Sequence, residues 1–300
     1  MIQVAYDPIY EHPLPENHRF PMEKYGLLHA QILHQGIVEP QQIISPNPAS
    51  AQEILLTHQP SYLEKLLSLS LTKPEIRRTG FPLSKELIDR EIKIMGGSIQ
   101  AAYHALTHGA ALNIAGGTHH AYPDRGEGFC LLNDLAIAVE TLRSQKKIRK
   151  ALIIDLDVHQ GNGTAVIFEK INEVFTFSMH GKSNYPMRKE KSDLDIALPD
   201  LTEDDEYLEI LETQLPGLID SHKPDFIAYQ SGVDALKTDK LGRLGLSLEG
   251  LKRRDEIVFD HAHKLEIPII AAMGGGYSPN IKDIVDAHTQ TFQIAADLFG

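Results

Sequence analysis

From residue 111 onward the chain alternates two patterns. Runs that are apolar at nearly every position, Ala111–Ala115, Ala151–Asp157, Val174–Ser178, Asp225–Gln230 and Ile267–Met273, are separated by segments with a helical spacing of apolar residues. A strand wetted on one face alternates apolar with polar residues. A strand apolar throughout has both faces covered, as in a parallel sheet between helices. The spacing predicts helices over Asp134–Ser144, Thr164–Ile171, Asp204–Ser221, Leu248–Lys264 and Ile281–Phe299. Upstream it predicts a strand at Ile2–Tyr6 and a helix over residues 22–36, with Met22, Tyr25, Leu28, Ile32 and Leu33 on one face. Short helices broken by Pro60, Pro74 and Pro82 follow, then a long helix from Ser84 to His108. Gly96-Gly97 inside that helix cost about 1 kcal/mol each relative to Ala, which predicts that another backbone packs against them. The expected fold class is α/β: one three-layer α/β/α domain over residues 1–300 with a central, mostly parallel sheet.

Composition narrows the class of function. Acidic residues number 41 and basic residues 29, a formal charge of −12. Phosphate binding needs clustered Lys and Arg, so no nucleic-acid partner is expected. Cys130 is the one cysteine, so no intrachain disulfide can form, as in a reducing compartment. No apolar run reaches the roughly 18 residues of a membrane span, and the N-terminus lacks the charged and apolar regions of a signal peptide. The expectation is a cytoplasmic protein. The sequence leaves its oligomeric state open.

Chemistry collects where the strands end. Ala111–Ala115 is followed by Gly116-Gly117-Thr118-His119-His120, and Asp155-Leu156-Asp157 by Val158-His159-Gln160-Gly161-Asn162-Gly163. Asp225–Gln230 is followed by Ser231-Gly232-Val233-Asp234, and Ile267–Met273 by Gly274-Gly275-Gly276-Tyr277. Parallel α/β sheets bind ligands outside the carboxyl ends of their strands, so these four pieces should meet in one crevice. Asp157 and His159, at i and i+2, can face the same side of an extended segment. With Asp234 they offer one imidazole and two carboxylates, a catalytic zinc set with an open position, though Fe(II) or Co(II) would also accept it. Asp also caps helices routinely, but four polar strand ends together favour a site. His119 and His120 stand where a general base and an electrostatic partner would, with Asp155 and Asn162 as candidate orienting groups. Tyr277, behind three glycines, could donate to a developing oxyanion. No Gly-Lys-Ser/Thr follows those glycines, which argues against a phosphate-binding loop. Phe129 and Tyr185 lie on loops near the same face.

Together, GGTHHAYPDRGEGFCLLND (116–134), DLDVHQGNGT (155–164), SGVD (231–234) and GGGY (274–277) resemble the zinc-dependent histone deacetylase family, in order and spacing, over nearly all 300 residues. HQGNG with Asn162, EDDEYL (203–208), DKLGRLGLS (239–247) and KRRDE (252–256) resemble most closely its class IV, histone deacetylase 11-like branch. The resemblance implies the arginase/deacetylase fold and hydrolysis of Nε-acyl-lysine, with acetyl or longer fatty-acyl groups removed. By match, Asp157, His159 and Asp234 would hold one Zn2+ per chain. His120 would be the base and later the acid, His119 its electrostatic partner on Asp155, and Tyr277 would polarise the acyl carbonyl. Gly128, Phe129 and Tyr185 would line the lysine channel. Ser178 and the carbonyls around Asp155, Asp157, His159 and Met179 match a structural K+ site. Arg19 is expected to line an exit cavity beneath the metal. Asn162 stands where class I members carry Asp; an uncharged partner should favour neutral His120.

Acyl-lysine in a protein or peptide is the expected substrate. Acylated polyamines are the alternative, drawn in by an acidic rim. A binuclear manganese hydrolase of the same fold would need more carboxylates, yet Gln160 follows His159, and Asp234 has no second Asp two residues on. An acyl-lysine binding module without catalysis would be expected to have lost part of the set.

Overall fold

The computed structural model describes residues 1–300. The N-terminal part contains β1 (Gln3–Ala5), α1 (Lys24–His34), β2 (Ile43–Ile44), α2 (Ala51–Ile54), α3 (Pro60–Leu67), α4 (Lys73–Thr79) and α5 (Lys85–His108). Then come β3 (Ala110–Asn113), α6 (Asp134–Ser144), β4 (Ala151–Asp155), α7 (Asn162–Phe168), β5 (Val174–Gly181), β6 (Leu194–Leu198), α8 (Asp204–His222), β7 (Phe226–Gln230), α9 (Leu248–Lys264), β8 (Ile269–Ala272) and α10 (Ile281–Phe299). Local chemistry sets the boundaries. Ser84, Asn133 and Ser247 accept hydrogen bonds from Leu87 N, Ala136 N and Gly250 N, capping α5, α6 and α9. Pro60 and Pro74 lie in the first turns of α3 and α4, where a missing N–H is harmless.

All eight strands are parallel, in the order β2-β1-β3-β8-β7-β4-β5-β6. Strands β3, β4, β7 and β8 are buried along their whole length, as the apolar runs required. Helix α5 packs on α6, and α8, α9, α10 and α1 pack side by side. The core is one cluster of 79 buried residues. Gly96 behaves as expected: a Cβ there would lie 1.8 Å from the carbonyl oxygen of Asn47, on the incoming backbone.

Some boundaries differ from expectation. β2 and β6 add strands at the two sheet edges. β6 reads LDIAL and is half exposed, so its alternating sequence lacks the all-apolar signature of the centre. The strand expected over Ala151–Asp157 leaves the sheet after Asp155, which frees Asp157 to turn away from the ladder. The helix expected from Thr164 to Ile171 instead runs from Asn162 to Phe168, so Asn162 is held on a first helical turn.

No helix is long and apolar enough to cross a membrane.

Candidate active site

The four polar segments follow β3, β8, β7 and β4, which are consecutive neighbours in the sheet. Their last residues stand in register: Asn113 and Gln230 both pair with Ala272, and Gln230 with Asp155. The loops therefore leave the sheet at one level and meet above it. Buried Arg254 of α9 ties two of them together. Its guanidinium donates to the carbonyls of Gly232 (2.6 Å), Ser231 (3.1 Å) and Leu156 (3.3 Å), beside the residues that lead into Asp157 and Asp234. Asp134 fixes the third turn, accepting from Thr118 N and Thr118 Oγ1, each at 2.9 Å, and from Ser98 Oγ at 2.6 Å.

Asp157, His159 and Asp234 come together as expected: one donor atom from each lies within 4.8 Å of the others, and all three residues are buried. His159 Nδ1 is 2.9 Å from Asp157 Oδ1 and 3.1 Å from Asp234 Oδ2. Asp234 Oδ2 is nonetheless buried without a hydrogen bond of acceptable geometry, which is costly for a carboxylate oxygen unless a cation takes it. The electrostatics agree. Burial and the neighbouring Asp157 charge push the Asp234 carboxyl up to about 7. Burial disfavours charge on His159, but the two carboxylates outweigh it and hold the imidazole up at about 10. The pocket thus demands positive charge, and its donors fit a divalent ion.

His119 and His120 stack with ring centroids 4.0 Å apart, but their fields differ. His119 Nδ1 lies 2.7 Å from Asp155 Oδ2. Burial opposes its protonation, yet Asp155 and Asp157 raise it to about 9. His120 Nδ1 lies 2.6 Å from Asn162 Oδ1. Burial, then the charges on His119 and His159, hold its pKa well below 6.5, so it is neutral. Glu127, which sequence reasoning passed over, sets its tautomer. The Glu127 carboxylate can only accept, and it takes a hydrogen bond from Asn162 Nδ2 at 3.3 Å. That orients the amide with Oδ1 toward His120, so Nδ1 carries the proton and Nε2 keeps a free lone pair. Glu127 also accepts from the Tyr185 hydroxyl at 2.9 Å.

Tyr277 N donates to Asp239 Oδ2 at 2.6 Å, which anchors the residue after the triple glycine. Burial, reinforced by Asp234 and Asp157, keeps the phenol protonated. Phe129 lies 5.9 Å from the Tyr277 ring, and Tyr185 stands edge-on to His120 at 4.9 Å. Gly128 has φ +57, and a Cβ there would lie 2.6 Å from His120 Cδ2, so only glycine lets the wall approach the imidazole.

His120, His159, Phe129 and Tyr277 line both an outer cavity of about 530 Å3 and an inner one of about 40 Å3. Arg19 departs from expectation. It lines the outer cavity, its guanidinium 6.0 Å from the Phe129 ring, and Arg90 lines the inner one instead. The rim is not acidic either: Arg19, Arg77, Arg78 and Arg243 line the mouth, and no Asp or Glu does. Ser178, the matched K+ residue, pairs in register with Asp155, while its hydroxyl is within 2.9 Å of His180 Nδ1. Also missed was Lys24, fully buried and donating to the Gly274 carbonyl at 3.0 Å. Burial lowers its pKa to about 8.

An eight-stranded parallel α/β sheet with an Asp-His-Asp cluster, a histidine pair and a tyrosine at its carboxyl edge defines the arginase/deacetylase architecture. The histone deacetylase domain profile matches residues 18–292, and the chain belongs to that family. It is 44% identical over 296 residues to an uncharacterised protein of Picosynechococcus sp., covering 99% of both chains. It is 32% identical over 269 residues to histone deacetylase 2 of Arabidopsis thaliana, covering 87% of this chain and 70% of the relative. Among solved structures, that of an HDAC homologue complexed with SAHA superposes with a TM-score of 0.86 at 25% identity, over 99% of this chain and 84% of the other. The chain is thus a hydrolase of the deacetylase family.

Proposed function

We propose that this chain is a zinc-dependent deacylase of Nε-acyl-lysine in proteins or peptides. The observation that carries the reading is the orphaned Asp234 Oδ2 beside Asp157 and His159, two residues that line one cavity with His120 and Tyr277. Asp157, His159 and Asp234 would hold the ion, which when bound polarises the acyl oxygen and brings water's pKa toward neutrality. His120 Nε2, lone pair free, takes a proton from the attacking water and returns it to the leaving lysine amine. His119, held positive by Asp155, favours the neutral state of its neighbour. Tyr277 donates its hydroxyl proton in a hydrogen bond to the acyl oxygen as negative charge grows there. Phe129 and Tyr185 flank the lysine stem, and Gly128 lets that wall close on His120. The set fits the class IV branch through Asn162. A potassium ion at the carbonyls around Asp155, Asp157, His159 and Met179, with Ser178, belongs to the same reading, supported by the Asp155–Ser178 register.

The inner cavity bears on chain length. A water-sized sphere needs ~10–15 Å3, so about 40 Å3 suits an acetyl group better than a long fatty-acyl chain. The arginine-lined mouth disfavours polyamines, which are polycations. The test is acetate release from acetyl-lysine peptides by zinc-loaded protein, against octanoyl and myristoyl peptides and acetylpolyamines. Acetyl-peptide turnover is expected to dominate. Turnover of acetylpolyamines alone would overturn the protein-substrate reading.

A further inference from the structure

The mouth of the channel has the opposite charge to the molecule. Four of the 29 basic residues of a −12 chain line it, and none of the 41 acidic residues does. The four arginines come from three chain segments, each fastened to the channel wall. Arg19 follows His18, whose Nε2 donates to the Gly80 carbonyl at 2.8 Å and whose ring stacks on Phe81 at 5.7 Å. Arg77 and Arg78 occupy the last turn of α4. The carbonyls of Arg78 and Thr79 accept from Gly128 N and Phe129 N at 3.1 and 2.8 Å, locking that turn to the Phe129 wall. Arg243 lies on a loop whose Leu241 carbonyl accepts from Asn184 Nδ2 at 2.6 Å, beside Tyr185. Arg243 has Asp200 at 3.4 Å, whereas Arg19, Arg77 and Arg78 have no carboxylate within ion-pair distance.

Unpaired guanidinium groups around one opening repel one another, and nothing in the fold neutralises them. They present planar forks suited to carboxylates, and their field raises the local concentration of anions at the mouth. Phe129, Tyr185 and the arginines line the same cavity, so a neutral acyl-lysine stem held between the two aromatics would leave the residues beside it on the substrate near the arginines. We propose that this rim selects acyl-lysine in an acidic sequence context, with Asp or Glu flanking the modified lysine. The proposal rests on the deacylase reading and adds its substrate class.

Three acetyl-lysine peptides flanked by Asp, Gln or Arg decide it. At low salt the Asp-flanked peptide should exceed the Arg-flanked one in kcat/KM by roughly tenfold, the scale of two or three exposed ion pairs. At ~1 M salt, where screening acts within ~3 Å, the difference should collapse. The double variant Arg77→Gln, Arg78→Gln should lose most of the Asp-peptide advantage while its rate on the Gln-flanked peptide stays unchanged. Equal rates on all three, or preference for Arg flanks, would overturn the inference. Hydrolysis of none of them would remove the deacylase reading instead. Fluorescence anisotropy of the same peptides would then still decide the rim, with tighter binding of the Asp-flanked peptide upholding it and equal binding overturning it. Free ε-acetyl-lysine, whose carboxylate is its own, provides the small-molecule arm. Faster turnover of it than of the Asp-flanked peptide would reject the peptide as the source of the anion.

Discussion

Replacing Asn162 by Asp puts a carboxylate where an amide oxygen now sits 2.6 Å from His120 Nδ1. Two unit charges ~4 Å apart at an effective dielectric of ~20 interact by about 4 kcal/mol, or about three pKa units. Glu127 reduces this. Its Oε1 lies 3.3 Å from Asn162 Nδ2, so the variant sets two carboxylates against each other and part of the new charge is lost to a proton. The expected rise in the His120 pKa is about 1–2 units, within the usual range for a carboxylate neighbour. The sign follows from the role. A base with a raised pKa stays protonated to higher pH, so the acidic limb of kcat/KM moves up. In the native protein that limb should lie low, because burial and the charge on His119 depress His120. The assay is kcat/KM against pH for zinc-loaded native and variant proteins on one acetyl-lysine peptide. An acidic limb that stays in place would refute both the pairing and the assignment of His120 as the base.

Other outcomes follow from the same geometry. Tyr277→Phe should lower kcat by about 10²–10³ with metal content unchanged, as expected for loss of one oxyanion donor; full activity would remove the hydroxyl from the reaction. Gly128→Ala should lower stability by about 1–3 kcal/mol, because it forces a side chain into φ +57 and against His120, and a Tm equal to the native value would contradict the close approach. His58 is buried, with Nδ1 donating to the Tyr122 carbonyl at 3.0 Å and Nε2 accepting from Asn133 N at 3.0 Å. Burial lowers its pKa to about 4, from about 6.5 in water. The unfolded chain therefore binds more protons across that window. Stability should fall as pH drops from about 6.5 to 4, by up to about 3 kcal/mol. Denaturant unfolding at several pH values should show that slope, and His58→Asn should flatten it; an equally steep slope in the variant would assign the acid sensitivity elsewhere.

The centre of the fold was legible because strands buried on both faces leave an unbroken apolar signature, and the crevice because each central strand ends in glycines and titratable groups. The edges were not. β2 spans two residues, and β6 alternates like a surface strand. Asn162 fell two residues before the helix expected from Thr164, and only the fold shows it starting α7. Gln230 and Lys24 carried no motif, and Glu127 lay within one that gave it no role. Gln230, inside an apolar run, donates to Asp157 Oδ2 at 3.1 Å and to the Gly117 carbonyl at 2.9 Å, and it acts only once β7 lies between β8 and β4. The arginine rim was hidden for a related reason. Net charge averages over the surface, and three distant segments had to fold before their charges shared one opening.

Metal analysis of the purified protein is the most direct check. Native chain dialysed against zinc and then against buffer should retain one ion per chain by mass spectrometry, and Asp234→Asn should retain far less while staying folded by circular dichroism. Full zinc retention by that variant, or none by the native chain, would contradict a site built from Asp157, His159 and Asp234.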